Sequence, residues 1–260
     1  MKNKYHELKK WFNEYTEKFN KGSKEKKKNI NLKITHSKRV SENMEEIIED
    51  FEMSEYERYL AKIIALYHDI GRFKQYEEYN TFSDYKSDDH GIIGVNVIKE
   101  NHLINDIKKD YQDIIYKAIK NHNNAKLNLN NFTNDKELFY AKLIRDADKL
   151  DIWNIFMKKY KNEDENNYLI NLSYNPKISD EIYNKVLNRE SIKYNKLKTV
   201  NELKLMQMSW VYDINFKKTL EIIEKRNYIK TIYNSMDKSE KADKIHNNIK
   251  QFIENEISEL

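Results

Sequence analysis

Apolar residues recur at steps of three and four along most of the chain, the pattern of amphipathic helices rather than strands. Leu8, Trp11, Phe12, Tyr15 and Phe19 predict a helix over 5–20, and Val40, Met44, Ile47 and Phe51 predict a second over about 32–50. Ser54 precedes Glu57 by three positions, the spacing of a capping box, and opens a helix bearing Leu60, Ile63, Ile64 and Tyr67. Further helices are expected over about 90–103, 106–122, 135–160, 179–190 and 238–257. One long pattern runs from Asn201 to about Met236 through Leu203, Met206, Trp210, Phe216, Leu220, Ile223 and Tyr228. Between these, the run KGSKEKKKN at 21–29 has almost nothing to bury and reads as a solvated loop. Residues 70–89 read as the longest non-helical stretch of the first half, and 159–167 and 171–179 as exposed connections, the second around Pro176.

Composition sharpens this picture. Average usage in 260 residues would give about 18 glycines and about 13 prolines, against 4 and 1 here, which removes most of the turn chemistry of a sandwich or barrel. The expected fold is all-α: one domain over 1–260, with a core at about 32–155 and extra C-terminal helices at about 176–258. With no internal repeat or long low-complexity linker, nothing divides the chain. Met206, Trp210 and Asp213 in the C-terminal part either shape a pocket or complete the core. There is no cysteine, which excludes disulfide scaffolds, thiolate metal sites and cysteine nucleophiles. No apolar run approaches about 18 residues and the first residues lack a signal-peptide core, so a cytoplasmic protein without a membrane segment is expected. The 47 basic and 43 acidic residues, net +4, are interspersed, so a nucleic-acid groove is not implied.

Charged and imidazole side chains at core-facing positions carry the chemistry. In the helix at 106–122, Ile107, Tyr111, Ile114, Ile115 and Ala118 lead by helical steps to His122. In the next helix the stripe Tyr140, Ile144, Asp148, Ile152 and Ile155 contains a carboxylate. Buried without a partner, Asp148 would cost several kcal/mol. His68 and Asp69 end the stripe of Leu60, Ile64 and Tyr67. Any one of these reads first as a hydrogen-bonded core residue. With His36 and His90 they put four imidazoles and two carboxylates on different helices, and a helical bundle can project such a set inward to a shared metal centre. His6, His102 and His246 fall outside the pattern.

Taken in order, THSKRV with His36, LYHDIGRF with His68 and Asp69, and RDADKLD with Asp148 resemble the HD-domain superfamily of metal-dependent phosphohydrolases, in the form whose doublet reads HDIG. His90 in KSDDHGIIG and His122 in IKNHNN lie between doublet and final aspartate, as in members that hold two metals. The resemblance covers about residues 32–155. It implies His36, His68, Asp69 and Asp148 as ligands of a first divalent cation, with Asp69 bridging to a second held by His90 and His122. Mn, Fe, Ni, Co or Zn would suit such a set. Asp146 is expected behind the ligands or as a cap partner, with a place among the ligands as the alternative. Water activated between the cations would attack phosphorus.

Arg72, three residues past Asp69, and Lys149, beside Asp148, are candidates to bind the substrate phosphate and act with Asp69 in catalysis; Lys86 follows, then Arg39 and Arg145. Each could instead form a surface ion pair. Tyr79, Phe82, Asp84 and Lys86 could form a lid or base-stacking wall, or pack into the core. No Gly-Tyr-Pro string occurs and the doublet is not followed by Glu-Asp, which argues against the cyclic-di-GMP and alarmone branches. The expected activity is hydrolysis of a phosphomonoester or phosphodiester in a nucleotide or small phosphorylated metabolite. The alternatives are a di-iron oxygenase of the same fold and a non-catalytic metal- or nucleotide-binding regulatory module.

Overall fold

The computed structural model describes residues 1–161 and 172–258. It is all-α: among the described residues the only β feature is an isolated bridge between Ser173 and Thr199. The chain divides into two compact units, Met1–Asp151 and Ile152–Leu260.

The first unit contains α1 (Lys2–Glu17), α2 (Lys24–Ile47), α3 (Glu55–Tyr67), α4 (Gly71–Tyr79), α5 (His90–Glu100), α6 (Lys109–Asn121) and most of α7 (Asp135–Lys161). Helix α3 is central, packing against α1, α2 and α6, and α5 packs between α4 and α6. Val40, Met44, Leu60, Ile64, Ile115 and Ile144 are fully buried in this core. The capping box of α3 forms as its spacing predicts, with Ser54 Oγ accepting from Glu57 N–H and the Glu57 carboxylate accepting from Ser54 N–H.

Two stretches expected to be irregular are helical. Ser23 caps α2, its Oγ accepting from Lys26 N–H at 3.1 Å. The run that follows is therefore helix rather than loop: Lys and Glu are good helix formers, and Lys26 pairs with Glu77. Residues 71–79 form α4, which buries Phe73, Gln75 and Tyr76 and stops at Asn80, whose φ of 53° is a left-handed C-cap.

The second unit holds α8 (Asp180–Leu187), α9 (Val200–Ser209), α10 (Lys217–Lys225), α11 (Tyr228–Asn234) and α12 (Glu240–Ser258). The long pattern over 201–236 is thus three helices, broken by a 3-10 turn at Trp210–Asp213 and by Asn227 at φ 55°. Met206 belongs to this unit's own core with Leu172, Ile182, Leu197, Val200 and Leu203, and Trp210 packs against it. The connection before α8 is non-helical, as expected from Pro176; the polar stretch at 159–167 lies largely outside the described residues.

Candidate metal centre

The six expected ligands converge, and the way each helix ends explains how. His68 and His122 directly follow α3 and α6, where the last carbonyls lack helical donors. His68 Nδ1 donates to Ala65 O at 2.8 Å, and His122 Nδ1 to Ile119 O at 2.6 Å. Each ring caps its own helix and is held in the tautomer whose Nε2 lone pair points inward. Carboxylates do the same for the other pair. His36 Nδ1, on α2, donates to Asp151 Oδ2 at 2.7 Å, and His90 Nδ1, at the first turn of α5, donates to both Asp84 oxygens at 2.9 Å.

Two donor clusters result. His36 Nε2 lies 3.2 Å from His68 Nε2, 3.1 Å from Asp148 Oδ1 and 3.5 Å from Asp69 Oδ2. His90 Nε2 lies 3.1 Å from His122 Nε2 and 3.2 Å from Asp69 Oδ1, with His122 Nε2 3.7 Å from the same oxygen. Asp69 therefore offers one oxygen to each cluster.

Both imidazole pairs bring their Nε2 atoms to 3.2 and 3.1 Å of each other, a spacing that needs a proton or a cation between them. Bonds of about 2.0–2.2 Å to one ion would put neighbouring donors roughly 3.0–3.6 Å apart, close to the spacings seen. Asp148 Oδ1 is buried without a hydrogen-bond partner. Donor type, spacing and this orphaned oxygen all fit divalent cations bound by nitrogen and oxygen.

The rings differ in charge. Burial holds the His68 ring neutral, pushing it down to about 3. Burial also opposes charge on His36, but the carboxylates of Asp148 and Asp151 outweigh it and raise that ring to about 9. Against the cost of burial, the Lys33 ammonium and hydrogen bonds from the imidazoles of His122 and His90 keep Asp69 well below the usual carboxylate range.

The expected cations are distributed differently. Arg72 Nε faces Asp69 Oδ1 at 3.4 Å, while its Nη1 donates to Gln75 Oε1, Phe82 O and Asp84 Oδ1 at 2.8, 2.5 and 2.9 Å. Arg39 forms a two-pronged pair with Asp151. Arg145 is buried and donates to the carbonyls of His122, Asn124 and Ala125, bracing the chain after α6. Lys149 is half-buried on α7, Lys86 is exposed on the turn Asp84–Lys86, and Asp146 is fully buried. Among the wall candidates, Phe82 stacks on Tyr76 and Tyr79 bonds Asp88. His6, His102 and His246 belong to none of the donor groups among the described residues.

Three residues around the centre were not singled out for these roles by sequence. Lys33 Nζ donates to Asp69 Oδ2 at 2.7 Å, and its position three residues before His36 on α2 is the signal that would have found it. Asp151, three residues after Asp148 on α7, carried the same kind of signal. Asp84, a wall candidate by sequence, is the acceptor that orients His90.

Residues 34–153 match the HD domain family. The chain carries an HD domain. All six converging donors lie within the matched residues, and Lys33 lies one residue before them. Neither a curated protein nor a solved structure matches the chain.

Proposed function

We propose that this HD domain is a metal-dependent phosphohydrolase, with two divalent cations held by His36, His68, Asp69 and Asp148 on one side and by Asp69, His90 and His122 on the other. The observation that carries the reading is the Asp69 carboxylate, whose two oxygens face separate imidazole pairs at 3.5 and 3.7 Å and at 3.2 and 3.7 Å. Bound cations supply water activation near neutral pH and neutralisation of charge on phosphoryl oxygens.

The chain's own residues then have distinct tasks. The four Nδ1 contacts fix the ring orientations, so that each imidazole presents Nε2 to its cluster, and at His36, raised to about 9, a proton leaves as a cation binds. Arg72 and Lys149 act at the reacting phosphoryl group together with Asp69, and Lys86 reaches the outer part of the substrate. Lys33 joins them: its ammonium, on Asp69 Oδ2 at 2.7 Å, carries a flexible four-carbon stem and three donors that suit a phosphoryl oxygen. The substrate class is a nucleotide or small phosphorylated metabolite, cleaved at a phosphomonoester or phosphodiester.

The test is phosphate release from a panel of nucleotides and sugar phosphates by manganese-loaded protein, with and without oxygen. Turnover in both atmospheres that disappears in Asp69→Ala is expected. Product formation that needs iron and oxygen would instead assign an oxygenase, and a metal-loaded protein inert across the panel would assign a binding module.

A further inference from the structure

Residues 80–89 link α4 to α5 and present Tyr85, 97% exposed, on their outer side. What holds this loop is polar. Asp84 accepts from His90 Nδ1, from Arg72 Nη1 at 2.9 Å, from Gln75 Nε2 at 2.8 Å and from Asn123 Nδ2 at 3.4 Å. Gln75, itself fully buried, reaches Ser87 Oγ at 2.7 Å and Asp88 O at 3.1 Å. One carboxylate on the loop thus gathers donors from α4, from α5 and from the residue after His122. The inner edge of the loop borders the centre, since Lys33 Nζ is bound to Asp69 while lying 5.5 Å over the Phe82 ring.

We propose that Asp84 is a positioning residue that couples the His90–His122 cluster to the 80–89 loop, so that a cation in that cluster orders the wall carrying Phe82 and Tyr85. The inference rests on the two-cation reading above. Coupling follows from the ring between the two partners. A cation on Nε2 draws electron density from the imidazole and makes Nδ1–H a stronger donor to the Asp84 carboxylate. By linkage, an Asp84 held in place raises affinity for the cation by the same factor. The loop is suited to respond, because few of its groups are buried and its attachments are side-chain hydrogen bonds.

The experiment uses the full chain, stripped of metal and titrated with Mn2+, following bound metal and amide hydrogen exchange at 80–89. Wild type takes up two ions and gains protection at 80–89. Asp84→Ala binds the second ion about 10–100-fold more weakly with the first unaffected, the range found when partners behind metal ligands are removed. Asp84→Glu recovers part of the loss. His122→Ala, a residue with no hydrogen bond to the loop among the described residues, loses the second ion and with it the gain in protection; this arm stands even if Asp84→Ala fails to fold. Two ions bound with wild-type affinity by Asp84→Ala, or wild-type exchange at 80–89 unmoved by Mn2+, would overturn the coupling alone. Wild type that takes up no Mn2+ would overturn the two-cation reading as well.

Discussion

Gly71 offers a direct test of how the HDIG string builds the centre. It opens α4 two residues after Asp69, at the point where α4 meets α5. A Cβ added there would lie 2.1 Å from the carbonyl oxygen of His90 and 2.5 Å from Gly94 N. Carbon and carbonyl oxygen do not normally approach closer than about 3.3 Å, so the first turn of α5 would have to withdraw by roughly 1 Å. Both obstructing atoms are backbone and cannot rotate away, which puts the cost at the upper end of the overpacking range, about 3 kcal/mol. The displaced carbonyl belongs to His90, and a site of this kind tolerates only about 0.5 Å of movement. Gly71→Ala should therefore lose stability and weaken metal binding at the His90–His122 side more than at the His36–His68 side.

Gly94 provides the control, because it faces the same interface from α5. Its Cβ would meet nothing nearer than 3.4 Å, an ordinary contact. Alanine is favoured over glycine inside a helix by about 1 kcal/mol, so Gly94→Ala should be neutral or stabilising. Urea denaturation of the two metal-free variants, followed by circular dichroism, measures the difference. Equal stability of Gly71→Ala and Gly94→Ala would refute the packing account of the motif.

Further expectations concern residues around the donors. Asp151→Ala leaves the buried His36 Nδ1–H without its acceptor and removes the two-pronged partner of Arg39, for a combined loss of about 2–4 kcal/mol in urea denaturation; a loss below about 1 kcal/mol would mean that this pair orients nothing. Lys33→Met should retain bound metal while weakening inhibition by inorganic phosphate at least tenfold, with Lys33→Arg close to wild type; unchanged inhibition would remove Lys33 from the substrate's path. The Glu57 carboxyl is drawn down to about 2 by Lys136 and by the Ser54 hydroxyl and N–H. Its folded value lies below its unfolded one, so its contribution is present above about pH 4.5 and lost as pH falls toward 2. The stability difference between wild type and Glu57→Gln should shrink across that window, and a difference that stays constant from pH 7 to 2 would contradict the assignment.

The centre was legible in the sequence because its donors interrupt hydrophobic stripes. Asp148 sits in line with Tyr140 and Ile144, and His122 with Ile115 and Ala118, positions where a polar side chain needs a reason. The groups behind the donors were harder to see. His36 and Asp151 are 115 residues apart, and only the packing of helices brings them into contact. Arg72 illustrates the converse, since spacing placed it beside Asp69 but could not show that one of its nitrogens braces the 80–89 loop. Among the helices, α4 was missed because it follows α3 after only three residues and buries Gln75 beside two aromatics, a mixture without a clear apolar stripe. In the lysine-rich residues 24–28 the dense charge hides a helix, because helix propensity and the cap that Ser23 supplies outweigh the lack of anything to bury.

The central claim is that two donor clusters share Asp69 to hold two cations, and metal content per chain tests it most directly. Protein purified without chelator and analysed by elemental mass spectrometry should contain two divalent metal ions, falling to one in His122→Ala. No metal in the wild type, or one ion unaffected by His122→Ala, would contradict it.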